Sequence, residues 1–396
     1  MTPGPLKFGI DLLLERDLCE LRRARIGLIT NDAARTATNP ERTAREALLE
    51  AGFSLCRLFS PEHGMRACAQ DGRPVSDSRD PVTGLRIRSL YGRTMTPGAG
   101  DLRGLDALVV DLPDAGYRFY TYCWTLYLAM EACESRGLPL FVLDRPNPVG
   151  GLLAEAEGPV LDIDRHGSFL GLFPMPIRHS LTLGELARLW QTKRFRRANL
   201  KVVPVEFWRR HQHWPDTGLR FIPPSPAIRS YESALFYGGL CFLEATNVSA
   251  GRGTEYPFRQ FGAPWVNAED LVSSLRKCLP EAVRLEPVSF VPREPPCRGE
   301  WCFGVRLHAR TPKEIRPVQT GFQILALLIA HHRDRFSWTP YPTAANPAGA
   351  DHFDRLAGRS FIRQRLEQGA IEPAEFEQWT VPGEWAQTVS PFLLYE

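Results

Sequence analysis

Residues 60–64 read Ser-Pro-Glu-His-Gly and directly follow the run Leu-Cys-Arg-Leu-Phe at 55–59, so a carboxylate and an imidazole stand just past the end of a buried strand. An acid and an imidazole at such an exit can hold and pass protons, which is the work of general acid–base catalysis. Pro61 and Gly64 punctuate the stretch as a turn, which takes Glu62 and His63 out of ladder bonding and frees both side chains to meet a substrate. The structural alternative is a Glu62 that caps the following segment and a His63 bonded to local carbonyls, since such pairs often serve stability alone.

Two more strand exits carry polar clusters. The run 107–111, Ala-Leu-Val-Val-Asp, leads into a loop holding Asp114, Arg118, Tyr120 and Tyr122, and the run 138–144 leads into Arg145-Pro146-Asn147. For either loop alone, ion pairs of Asp144 with Arg145 and of Asp114 with Arg118, with tyrosines in the core, explain the composition. Three such loops at one sheet edge favour a pocket, because open α/β sheets bind ligands outside the carboxyl ends of their strands. A second polar set comprises His179 and the segment 244–254, where Gly251 and Gly253 flank Arg252 and would let backbone approach a ligand. Gly-x-Gly is a weak signal, and a lone His179 reads as readily as a satisfied structural residue.

The elements that position these groups alternate. Strand patterns at 25–30, 54–59, 107–111 and 138–144 rotate with helix patterns at 39–51 and 122–136, and a helix follows at 181–190 with Thr182 as N-cap. Strand, helix and strand in rotation imply parallel βαβ units around a buried sheet. The expected fold is therefore α/β: a Rossmann-like parallel-sheet N-terminal domain with a smaller α+β C-terminal domain. Proline-rich residues 221–226 place the division at 1–228 and 229–396. The second part carries a helix pattern at 321–331 and a strand pattern at 305–308, and the proline-rich 341–347 reads as a surface loop.

Length and composition bound the rest. The chain has 396 residues, 43% hydrophobic and 23% charged, which suits two globular domains. Its net charge of +3 gives no nucleic-acid footprint, and the basic run 193–197 reads as a solvated helix end. No run of 18 apolar residues predicts a membrane span. Nine cysteines at irregular spacing, several inside apolar runs, point to reduced thiols and a cytoplasmic location. Cys297 and Cys302 could form a disulfide or half a metal site, but no second ligand pair follows them. The absence of Gly-x-Gly-x-x-Gly after the first strand, of a P-loop and of Gly-x-Ser-x-Gly disfavours dinucleotide oxidoreductases, NTPases and α/β-hydrolases. No His-Glu-x-x-His occurs, and neither cofactor nor metal is expected. Carboxylates, tyrosines and asparagines remain, the groups that bind sugars and, as paired acids, hydrolyse glycosidic bonds.

Taken in order, the motifs at 60–64, 89–92 (Ser-Leu-Tyr-Gly), 114–122, 143–151, 176–179, 184–187, 246–247, 251–254 and 262–265 resemble the exo-β-N-acetylmuramidase NamZ family, DUF1343, across nearly the whole chain. The resemblance implies a cleft between two domains that releases N-acetylmuramic acid from non-reducing ends of peptidoglycan fragments, with Glu62 as general acid. It implies that His63, Arg118, Tyr120, Tyr122, Asn147, His179, Asn247 and Arg252 line the cleft, with one Arg clamping the lactyl carboxylate. Asp114, at the neighbouring strand exit, is the expected second carboxylate. The partner is then a muropeptide or other amino-sugar glycan, with no nucleic acid and no membrane; oligomeric state is not readable. The chain departs from the family's usual residues at Pro113, Ser180, Ala227, Ala250 and Arg259. Those at Ala227, Ala250 and Arg259 motivate an alternative, a catalytically silent muropeptide- or amino-sugar-binding protein.

Overall fold

Short, wholly apolar segments can be satisfied only where both faces of a strand are covered. Three of them, β1 (Ile26–Ile29), β5 (Ala107–Val110) and β6 (Leu140–Leu143), are buried at every residue and form the middle of a seven-stranded sheet. The computed structural model describes residues 4–16 and 19–396, apart from the side chain of Cys19, so that cysteine and residues 1–3 lie outside the description. With β2 (Leu55–Ser60), β3 (Ser78–Arg79), β4 (Arg86–Ser89) and β7 (Leu200–Val203), the sheet runs β3-β4-β2-β1-β5-β6-β7. All pairings are parallel except β3 with β4. The chain lays β2 and β4 on one side of β1 and β5, β6 and β7 on the other. The order therefore reverses between β1 and β5, where a crevice opens at the carboxyl edge.

Helices cover both faces. One apolar cluster joins Ile29, Phe59, Tyr117 and Trp124 to Phe236, Phe322 and Val389, and another packs Ile10, Leu28, Leu48 and Phe141 on the opposite face. The first crosses from the parallel sheet into the C-terminal part. There β8 (Gln260–Ala263), β9 (Val283–Phe290) and β10 (Cys302–Ala309) form an antiparallel sheet of order β8-β10-β9.

The helix patterns fall close to expectation at Tyr122–Glu134 and at Leu183–Lys193 capped by Thr182, and the one expected over 321–331 begins a turn earlier, at Pro317, and ends at His331. Another start moves the other way. The helix expected over 39–51 spans Ala44–Glu50, because Thr43 and Glu46 form a reciprocal capping box, while Arg42 N closes a turn on Asn39 O at 3.0 Å. Helix Tyr231–Leu240 packs on Pro317–His331 with Gly239 and Gly321 in contact; a Cβ on Gly321 would lie 2.5 Å from Gly239 Cα. That contact fixes the 3-10 segment Cys241–Ala245, which delivers Glu244 to the site. The eight cysteines with described side chains are free thiols, Cys297 and Cys302 included.

Candidate active site

The turn after β2 is built to expose two side chains. Gly64 N bonds Pro61 O at 3.1 Å, His63 takes a left-handed φ of 66°, and the His63 carbonyl accepts from Cys68 N and Ala69 N. A left-handed non-glycine residue is costly and persists only where its surroundings hold it. Here Tyr122 does the holding. Its hydroxyl accepts from Asn31 Nδ2 at 2.9 Å, donates to Pro224 O at 2.7 Å and lies 3.3 Å from the Glu62 carbonyl.

Glu62 projects into a cavity between the two parts of the chain and is only 5% exposed. Thr121 Oγ1, at the start of helix Tyr122–Glu134, donates to its Oε2 at 2.6 Å, and Gly72 N donates to Oε1 at 2.9 Å. Gly72 has a φ of 67°, and a Cβ there would meet the Thr343 side chain at 2.8 Å, so only glycine presents this amide. Burial pushes the Glu62 carboxyl above its ordinary pKa, and nearby Asp71 adds to the rise, against His63 and the two donors.

Asp71 faces the same space and titrates the other way. Burial works against its charge, yet Arg252, His63 and the Tyr341 hydroxyl hold it below the ordinary carboxylate range. Tyr341 Oη donates to Asp71 Oδ2 at 2.7 Å, and Arg252 Nη2 stands 3.3 Å from the same oxygen. Arg252 also binds Glu244 through Nε at 2.7 Å and through Nη2. His352 stacks on Tyr341 with ring centroids 4.7 Å apart. Among the described residues neither His352 ring nitrogen, both buried in the cavity wall, has a partner at hydrogen-bond distance; Nε2 lies 3.6 Å from Glu244 Oε2.

Among the expected site residues, Glu62, His63, Tyr120 and Arg252 line the cavity. Tyr122 sits beneath it as the support just described. Five others are placed elsewhere, and each has a structural partner. Asp114 accepts from Gly116 N at 3.0 Å, has His179 Nε2 at 3.4 Å, and faces a separate slot lined by Phe8, Trp214 and Phe221. His179 is wholly buried and its Nδ1 accepts from Leu181 N. Arg118 is wholly buried and donates to the carbonyls of Pro159, Met175 and Leu356. Asn147 ties Leu181 O to Val149 N, and Asn247 ties Arg335 O to Ser337 N. The expected pairs of Asp144 with Arg145 and Asp114 with Arg118 are also replaced: Arg145 binds Asp111, while Asp144 holds Thr182 Oγ1 and Gly184 N at the next helix start.

Sequence reasoning missed Asp71, Tyr341 and His352 and touched Tyr91 and Glu244 only within the stretches 89–92 and 244–254; all five stand in the cavity wall. The loop 341–347 is no bystander, since Tyr341, Thr343 and Ala345 close one side of the site and Ala344 N bonds Gly72 O at 2.7 Å. Among the departures from the family pattern, only Ala227 reaches the cavity. Ala250 is buried apart from it, and Arg259 pairs with Glu232.

Glu62, His63 and Asp71 each offer one atom within 4.8 Å of the others, so they could also hold a metal ion. An ion there would require Glu62 to be ionised, against the direction in which its burial pushes it.

The family model described as exo-beta-N-acetylmuramidase NamZ, N-terminal, matches residues 26–232, and its C-terminal counterpart matches 235–395. The peptidoglycan beta-N-acetylmuramidase NamZ of Bacillus subtilis is 37% identical over 389 residues, 98% of this chain and 91% of that protein. Two crystal structures of DUF1343 family proteins from Bacteroides fragilis share the fold, with TM-scores of 0.86 at 31% identity and 0.74 at 26% identity, each covering 99% of both chains.

Proposed function

The chain belongs to the exo-beta-N-acetylmuramidase NamZ family, and from that premise we propose that it is a glycoside hydrolase releasing N-acetylmuramic acid from the non-reducing ends of peptidoglycan fragments. Glu62, kept neutral by burial, protonates the leaving oxygen. Asp71, kept ionised by Arg252 and Tyr341, faces the positive charge that develops at the anomeric carbon. Two carboxyl groups whose surroundings drive their ionisation apart are the usual basis for dividing acid from base or nucleophile. The observation that carries this reading is the placement of Glu62 and Asp71 in one cavity, the first held by Thr121 and Gly72 and the second by Arg252 and Tyr341.

Free thiols at every described cysteine support a reducing compartment, and a cytoplasmic enzyme of this kind would act on imported fragments in cell-wall recycling. Among the described residues no helix is long and apolar enough to cross a membrane.

The test is Glu62→Gln, which keeps the size of the side chain and removes the transferable proton. It should bind a disaccharide ending in N-acetylmuramic acid, by calorimetry, with release of the free sugar slowed by about 10²–10⁴-fold. Release at the native rate would overturn the role of Glu62. Binding without turnover in the native protein would instead support a silent muropeptide-binding protein.

A further inference from the structure

Beside the neutral Glu62 the cavity holds two further carboxylates, Asp71 and Glu244, against a single Arg252. Arg252 already spends Nε and Nη2 on Glu244 and Asp71. An anion driven into that space would meet fixed negative charge with its one guanidinium engaged. A sugar bearing a carboxylate must therefore direct that group outward, which bears on the expectation that one Arg lining the cleft clamps it.

The outward direction is visible in the chain. Four segments each give a residue to the cavity and its neighbour in sequence to an adjoining groove: Asp71 and Gln70, Ser225 and Pro226, Arg252 and Gly253, Phe258 and Pro257. Ala227 belongs to both walls. The groove is thus the mouth of the cavity, and its volume of about 850 Å³ is enough for a saccharide with its substituents. It carries Arg229, Arg293 and Arg298, all exposed, and among the described residues none of the three forms an ion pair. Glu255 and Glu294 are the acids in the same lining, so the guanidinium groups outnumber them.

We propose that this groove is an anion subsite that reads the carboxylate on the substrate's lactyl or peptidyl arm, with Arg293 and Arg298 as its principal contacts and Arg229 at its edge. A guanidinium suits the task because its planar fork matches a carboxylate in a bidentate way. The inner cavity then handles the neutral pyranose and the reacting oxygen, and the groove supplies the discrimination between acidic and uncharged amino sugars. The identity of the sugar rests on the hydrolase reading above; the charge preference of the groove does not.

Calorimetry on the full chain separates the two. The native protein is titrated with N-acetylmuramic acid and with its lactyl carboxamide, which has the same shape without the charge. The acid should bind about five- to tenfold more tightly at low salt, and the preference should shrink as ionic strength rises. In Arg293→Ala/Arg298→Ala the preference should vanish while the amide is bound by both proteins alike. Equal affinity for acid and amide in the native protein, no binding of either, or a preference that survives in the double variant would each overturn the subsite. An intact preference in a protein that turns over no muraminide would leave the subsite standing and overturn the hydrolase reading alone.

Discussion

Glu62 and Asp71 each offer a carboxylate oxygen within 4.8 Å of the other, and their surroundings push their ionisations in opposite directions. Thr121 and Gly72 fix the first group, while Arg252 and Tyr341 fix the second. Neither acid depends on the other for its position, so the two can be perturbed separately.

The pH profile follows from those directions. Glu62 must keep its proton, so the rate falls as pH rises through a pKa raised above the ordinary glutamate value. Asp71 must have lost its proton, so the rate falls again as pH drops through a pKa held below the ordinary aspartate value. Tyr341→Phe removes a donor that favours ionised Asp71, and should move the acid limb of kcat/KM to higher pH while leaving the basic limb in place. Movement of the basic limb alone would reverse the assignment of the two roles.

Stereochemistry follows from the separation. Retaining glycosidases hold their carboxyl groups about 5 Å apart, whereas inverting ones need roughly 6.5 to 9.5 Å to admit a water. The Glu62–Asp71 pair has the short spacing, so proton NMR during turnover should detect the sugar first as the β-anomer, mutarotating later. First appearance of the α-anomer would exclude Asp71 as the group facing the anomeric carbon.

Much of the parallel sheet was legible because buried strands such as 107–110 are continuous apolar runs. The strand Arg86–Ser89, next to the sheet edge, escaped notice, since two arginines flank its one buried isoleucine. In the site, Glu62 and His63 announced themselves by following a strand, while Asp71 sits in Gln-Asp-Gly, which reads as an ordinary turn. Glu244, Tyr341 and His352 reach the cavity only through packing of helices and a loop far apart in sequence. Asp114, Arg118, Asn147 and His179 misled for a physical reason: a loop that crosses a sheet edge needs buried polar side chains to satisfy its own backbone, and these residues do that.

Arg252 ties Glu244 and Asp71 together in a half-sealed wall, so Arg252→Met should leave two partly buried carboxylates without their cation. Breaking a fully buried pair from one side costs about 3–5 kcal/mol, and the partial exposure of Asp71 lowers that figure. Urea unfolding should show a lowered midpoint with little change in slope, and an unchanged midpoint would mean that the network is not buried in solution.

A proton on Glu62 and a cation in the Glu62, His63 and Asp71 cluster exclude each other. Treatment with EDTA should leave the rate unchanged, and added zinc should inhibit. Loss of activity on chelation, restored by a divalent metal, would replace acid catalysis by Glu62 with metal chemistry.

The most direct test of the central claim compares two leaving groups in Glu62→Gln. A dinitrophenyl muraminide departs without a proton, whereas an amino-sugar leaving group needs one. The variant should lose about 10²–10⁴-fold on the disaccharide and far less on the dinitrophenyl substrate. Equal losses on both, or no loss on the disaccharide, would contradict Glu62 as the acid.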